Sequence, residues 1–126
     1  MIKTHKDLDA WKNAIELVEA IYSLTKSYPK EELFGLVSQM RLAAVSIPSN
    51  IAEGAGRNHD KEFQQFLYIA LGSVAELDTQ LLLSERLEYV TRYEFEELNN
   101  LITLIRSQIS GLVKYLKNWN CEGYTK

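Results

Sequence analysis

The chain holds one cysteine, Cys121, among 126 residues. No internal disulfide can form, and a reducing cytoplasm is the expected setting. Histidine is almost as scarce. His5 and His59 stand far apart, and neither has a second histidine or a cysteine at ligand spacing. Metal binding is therefore not expected, and no cofactor is implied. Two histidines and one cysteine also give no basis for a nucleophile triad. Paired Glu-x-x-His motifs are missing, which disfavours a di-iron bundle. With only 2 prolines and 6 glycines, long loops and low-complexity segments are excluded. Gly54-Ala55-Gly56 lacks the lysine and the strand context of a phosphate-binding loop. Basic charge is not in excess either. A formal charge of −3 and a pI near 5.4 argue against a broad electropositive nucleic-acid surface. No uninterrupted apolar run reaches the roughly 18 residues of a membrane span. The stretch from Met1 to Asp7 has no apolar signal-peptide core.

What is present is apolar periodicity. Hydrophobic residues make up 46% of the chain, enough for one core in a single domain over residues 1–126. They recur at spacings of three and four, with no sustained period-two alternation. The expected fold is all-α, an antiparallel up-down-up-down four-helix bundle. Helices are expected over roughly 7–27, 30–55, 61–87 and 91–117, with a loose tail at 120–126. Leu8, Trp11, Ile15, Val18 and Tyr22 make the main face of the first helix, with Ala14, Leu17, Ile21 and Leu24 beside it. The second carries Leu33, Val37, Met40, Ala44, Ile47 and Ile51, and a kink is expected near Pro48. Asn58 or Asp60 is expected to cap the third helix. Its main face is Phe63, Phe66, Leu67, Ala70, Val74, Leu77 and Leu81, and Gly72-Ser73 suggests close approach of a neighbouring backbone. Thr91-Arg92-Tyr93-Glu94 has the form of a capping box before the fourth.

Charge is unevenly spread. From Leu33 to Arg57 only Arg41, Glu53 and Arg57 are charged, and from Phe63 to Ser84 only Glu76 and Asp78. Helices of a small monomeric bundle keep a broad solvated face. The second and third helices are therefore expected to be covered on a second side, in a homo-oligomer. Gln39, Arg41, Asn50, Glu53, Arg57 and Glu76 lie in this charge-poor region. Asn50, Glu53 and Arg57 are three and four apart, so they share a helix face and can bond in sequence. They read as a structural or interface network; the competing reading is a ligand pocket or catalytic dyad. Arg106, Lys114 and Lys117 give the last helix a modest basic character, the candidate contact for nucleic acid.

The longest specific motif is Ser46-Ile47-Pro48-Ser49-Asn50-Ile51-Ala52-Glu53-Gly54, followed by Arg57. Around it stand Leu8-x-x-Trp11-x-x-Ala14 and Tyr28-Pro29-x-Glu31-Glu32-x-x-Gly35-Leu36-x-x-Gln39. Glu62-Phe63-x-x-Phe66-Leu67, Ala70-x-Gly72-Ser73-x-x-Glu76-Leu77 and Leu82 follow. Together they make a chain that resembles the 23S rRNA intervening-sequence proteins, small bacterial four-helix bundles. It departs from them at Leu42, where a second basic residue is frequent, and at His59, where a capping serine is frequent. Some members are encoded within 23S rRNA genes, and that location assigns no activity. The family is similar to the accessory proteins of diversity-generating retroelements, pentameric barrels that bind a reverse transcriptase and nucleic acid. The resemblance thus implies a homopentamer with a scaffold role.

The expected function is a non-enzymatic, cytoplasmic assembly or adaptor module, partnered by itself and by a protein or ribonucleoprotein, without a membrane. The alternative is an RNA- or ribonucleoprotein-binding protein associated with 23S rRNA or a reverse transcriptase.

Overall fold

The computed structural model describes the backbone of residues 4–125 and the side chains of residues 4–118. Four helices make the body: α1 (Asp9–Thr25), α2 (Ser38–Ala55), α3 (Asp60–Arg86) and α4 (Arg92–Thr125). No strand occurs among the described residues. A single 3-10 turn, His5–Asp7, precedes α1 and is closed by reciprocal bonds between Thr4 and Asp7. Each helix packs on the next, and α4 packs back on α1. The result is an all-α four-helix bundle around one core. Leu17, Ile21, Met40, Ile47, Ile51, Leu67, Leu77 and Ile105 are among its fully buried side chains. Each such side chain contributes about 1.5–3 kcal/mol relative to exposure.

The α2–α3 seam is the most closely built. Gly54 lies against Phe63 and Phe66, Ser46 Oγ is 2.8 Å from Ser73 Oγ, and Ser84 Oγ lies 3.5 Å from Met40 Sδ. The pairing thus descends one helix as it climbs the other. A Cβ on Gly54 would stand 2.7 Å from Phe66 Cβ and 2.9 Å from Phe63 Cδ1, so only glycine lets the helices meet here. The close approach expected at Gly72 is found at Gly54 instead. Nothing stands within 4 Å of a Cβ built on Gly72, which faces outward.

Several boundaries and faces differ from expectation. In α1 the deeply buried face is Ala14, Leu17 and Ile21, while Tyr22 stays exposed under the Arg41 guanidinium, 4.5 Å from its ring centroid. The adjacent apolar stripes left two ways to orient this helix, and Ala14 is the smaller residue that admits close packing. Residues 30–37 are not regular α-helix. A 3-10 turn (Lys30–Glu32) runs into a π turn (Leu33–Val37), and Gly35 leaves helical geometry at φ −111°, ψ −109°. The altered register turns Leu33 outward. A kink thus stands at Gly35. Pro48 lies buried inside α2, between the fully buried Ile47 and Ile51.

His59 is the N-cap residue of α3 and makes no side-chain cap bond, so neither Asn58 nor Asp60 fills that role. The capping box at α4 forms as expected, with Thr91 N donating to Glu94 Oε1 at 2.8 Å and Glu94 N donating to Thr91 Oγ1 at 3.1 Å. The backbone at 120–125 continues α4 to Thr125 where a loose tail was expected. No proline interrupts it, and extending a formed helix costs far less than starting one. The side chains of Trp119 and Cys121 lie outside the described set. α3 is long and apolar enough to cross a membrane by length and composition alone. Its inward face is part of the bundle core.

Candidate functional site

The six polar residues expected to form a network separate into three groups. Arg41 clamps α2 to the end of α1. Its Nε donates to Thr25 Oγ1 at 2.9 Å and its Nη2 to the Tyr22 carbonyl at 3.3 Å. That carbonyl lies in the last turn of α1, where a cation also meets the negative end of the helix dipole. Asn50 turns back along its own helix. Its Nδ2 donates to Ser46 O at 2.8 Å and Ser46 Oγ at 2.9 Å, extending the Ser46–Ser73 link across the α2–α3 seam. No Asn50–Glu53 bond forms among the described residues.

Glu53 pairs with Arg57 at 3.7 Å, with side chains 57% and 46% exposed. As a surface pair it contributes about 0.2–1 kcal/mol to the isolated chain, not the 3–5 kcal/mol at stake when a buried pair is broken. Spacing alone could not separate these cases, because it places the residues on one face without saying which way that face points. Gln39 and Glu76 are exposed as well.

Gln39, Glu53 and Glu76 share the outside of α2 and α3 with large apolar side chains. Phe34 is 92% exposed, Leu42 73% and Ile69 52%, with Val45 and Leu83 also uncovered. Phe34 stands on the π turn, so the irregular backbone at Gly35 is what displays it. The sequence signal for this surface was the shortage of charge; the placement of Phe34 had none.

The three basic residues of α4 do not form one cluster. Arg106 Nη2 is held by Asp78 Oδ2 at 3.3 Å. Lys114 lies two turns farther along the helix, about 12 Å of rise. Lys117 Nζ stands 5.5 Å from the Tyr68 ring centroid, and both lysines are exposed.

A further polar group closes the Pro29 end of the bundle and was not anticipated. The Tyr89 hydroxyl donates to Glu32 Oε2 at 2.8 Å, and Leu36 N donates to Glu32 Oε1 at 3.3 Å. The carboxylate bond pushes the Tyr89 phenol above its ordinary range. Burial pushes up the Tyr28 phenol, whose ring lies 5.2 Å from that of Tyr89. Among the described residues no three His, Cys, Asp or Glu side chains gather where they could hold a metal ion.

Four helices around one core, with large apolar side chains left outside, define the class: a small all-α four-helix-bundle protein. The chain belongs to the 23S rRNA-intervening sequence protein family, whose model matches residues 6–111. It is similar to a Bacteroides thetaiotaomicron protein of unknown function from the S23 ribosomal protein family, known from its crystal structure. The two are 29% identical, with a TM-score of 0.77 over 83% of this chain and 95% of that one. No curated protein matches the chain.

Proposed function

We propose that this chain is a non-enzymatic, cytoplasmic assembly or adaptor module that works as a homo-oligomer. Five subunits is the number the family resemblance implies. The supporting observation is the set of large apolar side chains left exposed on the π turn, α2 and α3: Phe34, Leu42, Val45, Ile69 and Leu83. Monomers seldom leave such groups uncovered together. Size-exclusion chromatography with light scattering tests the reading. The expected result is a single species of several subunits; a 14.5 kDa monomer at all micromolar concentrations overturns it.

The second reading is RNA or ribonucleoprotein binding. It is favoured by Lys114 and Lys117, exposed on one side of α4 near the aromatic ring of Tyr68. The net charge of −3 weighs against it.

A further inference from the structure

We propose that copies of this chain join head to tail. Phe34 and Leu42 of one copy, with Arg41 beside them, seat in the groove between α1 and α4 of the next. This rests on the homo-oligomer reading and adds the surface that receives the exposed face.

Two grooves of opposite character flank the last turns of α1. The first, about 460 Å³, is lined by Tyr22, Phe34, Leu42 and Val45, with Arg41 as its only charged residue. The second, about 360 Å³, has Ala20, Leu24, Leu98 and Leu101 among its lining, with Glu94 and Glu97 as its only charged residues. One surface offers a projecting phenyl ring and a cation. The other offers an apolar floor and carboxylates.

The charged groups are prepared for such a contact. Bonds from Nε and Nη2 to α1 fix the Arg41 guanidinium and leave its Nη1 edge for a carboxylate. A guanidinium already held in place loses less freedom on binding. Glu94 Oε1 is engaged by Thr91 N, while Glu97 is exposed on the groove rim. Face-to-face pairing of two α2 surfaces would bring Arg41 groups together, with no carboxylate lining either groove.

Height along the bundle decides what kind of assembly results. Tyr22 lines the first groove, and Ala20, Ser23 and Leu24 line the second, so both are built on the last turns of α1. Unlike patches at one height on different sides relate neighbours by rotation with little translation. Such a contact closes into a ring when the bundle axes stay parallel and the rotation divides a full turn, and otherwise generates a filament.

Mixing two broken variants tests the contact. Leu42→Asp spoils the projecting face, and Ser23→Lys with Glu97→Lys spoils the groove; all three positions are exposed. Phe34→Glu is a second variant of the projecting face, and circular dichroism checks that each remains helical. Alone, each is expected to run as a 14.5 kDa monomer in light scattering. An equimolar mixture is expected to form a pair of twice that mass, because one intact face and one intact groove remain. A groove variant that assembles like wild type, or a mixture that stays monomeric while wild type assembles, overturns the head-to-tail contact alone. A monomeric wild type removes both readings.

Discussion

Gly54 shows how little separates a fit from a clash. Two phenylalanine side chains stand within 3 Å of where its Cβ would be. Gly54→Ala is expected to lose about 1–3 kcal/mol despite alanine's better helix propensity, because the seam must open to admit a methyl group. Urea denaturation of the variant measures this, and an unchanged midpoint would show that the phenyl rings yield freely. Tyr28 and Tyr89 give a pH signature. Both phenols are raised in the fold, one by burial and one by its bond to Glu32. Their stabilising contribution is therefore full below the unfolded phenol value, about 10, and is lost as pH climbs through the folded values. Alkaline spectrophotometric titration is expected to show late-ionising phenols, one fewer in Tyr89→Phe.

Among the elements, α3 and α4 were the most legible in the sequence. Phe63, Leu67, Ala70, Val74, Leu77 and Leu81 are buried as their spacing required, and in α4 Leu98, Ile102, Ile105, Ile109 and Leu116, which recur at helical spacing, are buried too. In α3 the longest apolar stripe is the buried one, and Ile69 and Leu83 stay outside it. In α1, two adjacent stripes left a choice that only the neighbouring helices could make. At residues 30–37 a local irregularity defeated the period, since Gly35 permits a backbone shape that helical spacing cannot announce. The polar candidates were legible by identity and not by direction: Arg41 lies against α1, whereas Glu53 points to solvent. The start of α3 is an unexploited position. His59→Asp supplies the missing cap acceptor and is expected to add about 1 kcal/mol, read as a higher melting temperature. A lower melting temperature would mean that the imidazole serves another contact.

For the molecule as a whole, charge and assembly act together. If copies associate as proposed, subunits of −3 would accumulate negative charge, which repels phosphate most strongly at low salt. Binding to generic RNA near physiological salt is expected to be weak or undetectable. Fluorescence anisotropy across a salt series decides this. Submicromolar affinity that falls steeply with salt and vanishes in Lys114→Glu/Lys117→Glu would favour the RNA-binding reading. Such a variant retains the Arg106–Asp78 and Arg92–Glu85 pairs, so loss of binding would not trace to the ion pairs between α3 and α4.

Met40 makes the α2–α3 seam a clock. Its side chain is fully buried with the sulfur against Ser84, and the only other methionine is Met1. Peroxide can reach Met40 only when the helices part, and the sulfoxide it forms is too polar to return to the core. The rate at which residue 40 gains oxygen, followed by mass spectrometry, therefore counts the openings of the folded protein. It should slow as subunit concentration rises, if partners hold those two helices shut.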